Sequence, residues 1–262
     1  MRQAAGILVV IASSLALFGC AATPETDPTT RTGMDRVSPV RAAEVNTRLG
    51  IGYLERGERR LAMEKLNTAL RHDSEHVPAM VALALIYEEL GNSDQAERHF
   101  RQAIRRAPTD GATLNSYAVF LCRRDDFDEA EGYFGRALQD PFYETPEVVH
   151  LNAGACARRS GQFDSAEIHL RRALERDAEL PGALYHLAQL YYEREEAFRA
   201  RAFLQRFEAS GETEPAALLL GYRIESSLGN PAEAGQYVSI LEERFPDSRE
   251  ARELRRQIED ND

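Results

Sequence analysis

One period governs this chain. Six alanines, Ala62, Ala96, Ala130, Ala166, Ala200 and Ala234, follow one another at spacings of 34, 34, 36, 34 and 34 residues. A repeat of that size is one supersecondary unit that cannot bury its apolar face alone, so neighbouring units must stack to make a continuous core. An array also suits a chain of 262 residues, because it grows by adding units and not by enlarging a single core.

The residues around each alanine show what the unit is. In the second one, Leu83, Ala84 and Tyr87 fall at helical spacing, Gly91 breaks the chain, Ala96, Phe100 and Ala103 resume the spacing, and Pro108 ends it. Small residues such as Ala84 and Ala96 let two antiparallel helices approach, while Leu83, Tyr87 and Phe100 fill the seam between them. Glycine reverses the chain and proline stops the second helix. This pattern resembles the tetratricopeptide repeat, which implies an all-α, right-handed solenoid. The same frame gives six windows, 43–76, 77–110, 111–144, 147–180, 181–214 and 215–248, with Thr145-Pro146 inserted between the third and fourth. The sixth is irregular, with Gly221-Tyr222 where leucine and a small residue are usual. A capping helix over 249–259 follows, N-capped by Ser248, with Ala251, Leu254 and Ile258 as one narrow apolar stripe.

The N-terminus reads as a targeting segment. Arg2 precedes an apolar run from Ala4 to Phe18, too short to span a bilayer, and Leu17-Phe18-Gly19-Cys20 resembles the lipobox of bacterial prolipoproteins. Residues 1–19 are then a lipoprotein signal peptide and Cys20 the lipidated first residue. Ala21, which is not aspartate, implies sorting to the outer membrane, with the body facing the periplasm of a Gram-negative bacterium. Residues 20–39, rich in Thr, Pro and Asp, read as a flexible tether. The membrane is reached through lipid alone.

A net charge of -11 repels a phosphate backbone, so no nucleic acid is expected as partner. No metalloprotease, nucleophile-elbow, CxxC or phosphate-loop motif occurs, and His72 and His76, four residues apart, fall in an inter-repeat turn. No catalytic residue, metal, cofactor or small-molecule substrate is therefore expected. Cys122 and Cys156 occupy positions 12 and 10 of successive first helices. In an oxidising compartment facing positions on such helices reach disulfide geometry, and a bridge is the reading adopted over two separate small core residues.

The first helix of each unit lines the inner surface of a stacked array. There Ile51, Leu54, Val81, Leu85, Val119, Leu151, Tyr185, Tyr192 and Leu219 give an apolar, tyrosine-rich groove, with Glu55, Glu88 and Glu89 toward one end and Arg123, Arg158 and Arg159 near the middle. That much exposed apolar surface predicts a docked protein segment.

Lipobox, tether and six repeats together resemble the PilF/PilW family of type IV pilus biogenesis lipoproteins. The resemblance is carried by Leu49-Gly50-Ile51-Gly52-Tyr53-Leu54, by Asn115-Ser116-Tyr117-Ala118-Val119-Phe120-Leu121-Cys122 and by Asn152-Ala153-Gly154-Ala155-Cys156. It implies a pilotin, which binds the secretin subunit and promotes its outer-membrane localisation and multimerisation. The alternative is a periplasmic adaptor like NlpI, serving cell-wall hydrolases or proteases.

Overall fold

The computed structural model describes residues 38–259. The signal segment, Cys20 and nearly all of the tether lie outside them. Thirteen helices and no strand occur among the described residues. They pair as α1 (Pro39–Glu55) with α2 (Arg59–His72), α3 (Val77–Glu89) with α4 (Ser93–Arg106), and α5 (Gly111–Arg123) with α6 (Phe127–Ala137). The second half pairs α7 (Pro146–Arg159) with α8 (Phe163–Arg176), α9 (Pro181–Glu193) with α10 (Ala197–Ala209), and α11 (Pro215–Ser227) with α12 (Pro231–Arg244), before α13 (Arg249–Glu259). Helix begins at Pro39, inside the range read as tether, because proline's fixed φ suits a first helical turn whose N–H has no partner to lose.

Each pair closes on small residues. Ala84 and Ala96 are fully buried with Leu83 and Phe100, and Gly154 allows α7 so close to α8 that a Cβ there would lie 2.6 Å from Leu170 Cγ. The irregular sixth repeat displaces this device by one residue. Gly221 makes room for the Tyr237 ring, which would stand 2.4 Å from a Cβ, and the Tyr237 hydroxyl donates to Glu208 at 2.8 Å. Between pairs, Tyr117 is fully buried among Phe100, Phe120 and Tyr133, with ring centroids 5.5, 5.9 and 4.8 Å away.

The turn inside each pair needs a left-handed residue at one frame position. Gly57, Gly91, Gly161 and Gly229 supply it with φ of 75, 72, 78 and 72°, whereas Asp125 (φ 65°) and Glu195 (φ 61°) hold it with side chains. An L side chain in that region costs about 1–2 kcal/mol. Glu195→Gly is therefore expected to raise stability by about 1 kcal/mol in chemical denaturation, and an unchanged or lowered midpoint would contradict this reading.

The two-residue insertion extends a loop after α6 that folds back on α5. Asp140 Oδ2 accepts from the Gly111 N–H at 2.8 Å, and a Cβ at Gly111 would meet Tyr143 at 2.9 Å. At the far end Ser248 Oγ accepts from the Ala251 N–H at 3.0 Å, capping α13. Ala251 and Leu254 are buried and Ile258 packs beside them.

Two histidines lie between α7 and α8, His150 and His169, with Nδ1 atoms 3.1 Å apart. Burial, then His169, Arg172 and Arg176, push His150 down to about 4. Burial and Arg172 lower His169 also, against the pull of Glu131. The fold thus holds a neutral pair. A base depressed in the folded state contributes stability above its unfolded pKa near 6.5 and loses it as pH falls toward 4. Unfolding free energy should drop by on the order of 2–3 kcal/mol between pH 7 and 4 on this account, and His150→Gln should flatten that slope. An equal slope in the variant would rule the pair out as its source.

Candidate partner-binding surface

The backbones of successive first helices approach one another closely, while successive second helices stand further apart and meet only through long side chains such as Tyr237 and Glu208. Elements drawn together on one side and spread on the other curve the stack, so α1, α3, α5, α7, α9 and α11 line the inner face. On that face Ile51 and Leu54 of α1 meet Val81 and Leu85 of α3 across a groove of about 610 Å³, walled further by Val77 and by Ala112 and Ser116 of α5. Ile51 is 39% exposed, and Leu54, Val81 and Leu85 are half-buried. Helical spacing puts these side chains inward. Their opposite flanks carry the residues that hold each pair together.

The other predicted members separate from this group. Val119 lines a neighbouring cavity of about 560 Å³ with Cys122, Cys156, Arg123 and Arg158. Leu151, Tyr185 and Tyr192 are half-buried against the core of α8 to α11, and the Tyr185 hydroxyl accepts from Gln189 Nε2 at 3.0 Å. Leu219 corrects the sequence reading, since it is only 4% exposed, packed under α13 with Ala251 and Leu254. In the last repeat the cap takes the place of the next first helix, and that position becomes core.

Charges on the inner face are largely spent on one another. Glu88 and Arg123 pair at 3.1 Å, Arg159 and Asp125 at 2.8 Å, and Arg158 donates to Glu193. Each of these pairs joins one repeat to the next, which no reading of single repeats reveals. On the opposite side Glu167 binds repeats four and five. Burial opposes its charge, yet the Tyr191 hydroxyl, Arg171 and Arg194 hold its carboxyl down at about 2.

Cys122 of α5 and Cys156 of α7 stand with Cα atoms 5.8 Å apart and their sulfurs joined, on the floor of the second cavity. Protein purified without reductant is expected to show no free thiol from this pair under denaturing conditions, where two free thiols would refute a bridge. Closing a loop of 34 residues contributes roughly 3–4 kcal/mol in the chain-entropy account, so reduction should lower the unfolding midpoint. Among the described residues no group of three or more His, Cys, Asp or Glu side chains could hold a metal, and no helix is long and apolar enough to cross a membrane.

Stacked helix pairs with an open apolar inner face define a repeat protein of the protein-binding kind. A tetratricopeptide repeat family model matches residues 47–111, 81–145 and 151–215, and the chain belongs to that family. Within it the chain is a type IV pilus biogenesis protein by similarity: it is 32% identical to PilW, described as a widely conserved type IV pilus biogenesis factor, over 81% of this chain and 97% of that crystal structure, with a TM-score of 0.75. The structure of PilF from Pseudomonas aeruginosa aligns with a TM-score of 0.73 at 26% identity, covering 84% of this chain and all of that one. In sequence, the type IV pilus assembly protein PilF of Pseudomonas aeruginosa is 26% identical over 94% of this chain and 96% of its own length.

Proposed function

We propose that this chain is a non-catalytic, lipid-anchored outer-membrane pilotin that holds a segment of the pilus secretin in the α1–α3–α5 groove and supports secretin multimerisation. The observation that carries the reading is the groove itself. Ile51, Leu54, Val81 and Leu85 present one continuous apolar strip at the end of the array nearest the N-terminus, where an anchor on Cys20 would attach. An amphipathic segment laid there would bury its own apolar face and stay soluble until delivered. Similarity to pilus biogenesis proteins across nearly the whole chain supports the choice of a secretin over cell-wall enzymes.

The direct test is co-purification of secretin from the periplasm with the tagged chain, compared with the groove variants taken up below. Anchor and groove separate experimentally. Several acyl chains on one cysteine hold a protein firmly at the membrane without any spanning helix. Cys20→Ser should therefore leave a folded protein that moves from the outer-membrane fraction to the soluble one. A substituted protein still found in that fraction, with no partner to hold it, would sink the lipoprotein assignment.

A further inference from the structure

Among the described residues, nothing covers the outer stacking face of the first repeat. Positions 3, 7 and 10 of α3, α5 and α9 turn toward the second helix of the repeat before: in α3 these are Ala79, Leu83 and Ile86, all fully buried. Their equivalents in α5, α7, α9 and α11 are buried as well. In α1 the same positions are Val45, 39% exposed, Leu49, 48% exposed, and Gly52, where an added Cβ would meet nothing within 4 Å. These are interior residue types at interior positions, with no helix on them among the described residues. Glycine at the position that carries Ile86, Phe120, Leu190 and Ile224 in other first helices leaves a hollow beside two apolar knobs.

Four of the helices that cover the equivalent faces, α2, α4, α6 and α8, share one pattern: a large apolar residue, two residues, alanine, then another large one. It reads Leu66, Ala69, Leu70 in α2 and Phe134, Ala137, Leu138 at the end of α6. We propose that the α1 end face is a second docking site, which takes an amphipathic helix of a partner protein bearing this pattern and stacking on α1 as the second helix of one repeat stacks on the first helix of the next. The sequence of residues 1–37 contains no such pattern. A second copy stacked head to tail is disfavoured because α13 turns Ala251 and Leu254 inward and leaves an outer face rich in arginine and glutamate. Arg48 lies exposed along the same side of α1, so an acidic flank on the incoming helix fits it. This face is distinct from the groove, which is lined by Ile51 and Leu54 on another side of α1.

A hydrocarbon-stapled peptide copying residues 126–138 is a suitable probe, since it carries Phe134, Ala137 and Leu138 together with acidic Asp128, Glu129 and Glu131. Titrated by fluorescence anisotropy against the full chain, it should bind saturably. Leu49→Glu and Gly52→Arg should each weaken it by about tenfold or more. Gly52→Arg projects into open space, so its melting temperature should match that of the unsubstituted chain. The groove variant Leu54→Asp with Leu85→Asp should bind the probe unchanged, so that failure here is separable from failure of the secretin reading. Absence of binding, or binding indifferent to both end-face variants, overturns the proposal. So does a dimer in sedimentation that Leu49→Glu dissociates, which would give the face to a second copy. Binding that appears only after deletion of residues 1–37 would give it to the chain's own segment, and would also overturn it.

Discussion

Leu54→Asp combined with Leu85→Asp is expected to leave the helices intact and to weaken secretin binding by roughly a hundredfold or more. Burying an apolar side chain of this size against a partner contributes about 1.5–3 kcal/mol before ordering costs, and two such anchors are lost. The carboxylates do further harm, because each would be carried out of water with no cation to meet it. Both leucines are half-buried, Leu54 beside the α1–α3 core and Leu85 beside that of α3–α7. Circular dichroism and thermal melting must therefore accompany the binding assay. Ile51→Asp, at a more exposed wall of the same groove, gives an independent variant with less demand on the core. Full binding by a folded double variant would move the partner away from the groove, to the outer face, the α1 end or α13.

Gly154→Val should be the most damaging single substitution in the middle of the array, with a loss of about 3 kcal/mol or more. A Cβ at Gly154 would stand 2.6 and 2.8 Å from Leu170 Cγ and Cδ2, and 3.1 Å from the Leu170 backbone nitrogen. The side-chain atoms could shift, but the backbone nitrogen could do so only by prying α7 from α8. That seam holds Leu170 and Ala173, both fully buried, and lies beside the Cys122–Cys156 link. Loosening it would uncouple the two halves of the stack. Gly132 and Gly135, on the exposed side of α6 with nothing within 4 Å, make the contrast. Alanine there should stabilise by about 0.5–1 kcal/mol each, since glycine gives up more freedom on entering a helix. Equal behaviour of the two kinds of glycine in denaturant titrations would contradict the packing described.

The repeat was legible because its cause is local and recurs. Small residues at the helix crossing, a left-handed turn residue and a closing proline recur along the array, so Ala96, Gly91 and Pro108 announce their roles by spacing alone. The groove was half legible. Helical phase placed Ile51, Leu54, Val81 and Leu85 on one side of their helices, but phase does not tell a groove wall from packing between repeats. Leu151, Tyr185 and Tyr192 share that phase and lean into the core, and Leu219 lies beneath α13. Contacts between units were hidden for the same reason. The pairing of Glu88 with Arg123 and of Arg158 with Glu193 depends on how far each repeat rotates on the last, which no single unit encodes. The α1 end face was legible only in its residue types: the frame sets Val45, Leu49 and Gly52 beside Ala79, Leu83 and Ile86, but their exposure is a matter of packing that the frame does not encode.

Secretin multimers in the outer membrane test the central claim most directly. In cells lacking this chain, heat- and detergent-resistant secretin multimers should disappear from the outer-membrane fraction while secretin monomer persists. The unsubstituted chain should restore them, and Leu54→Asp with Leu85→Asp, present at equal level and folded, should not. Multimers at normal abundance and location in cells without the chain would contradict the account.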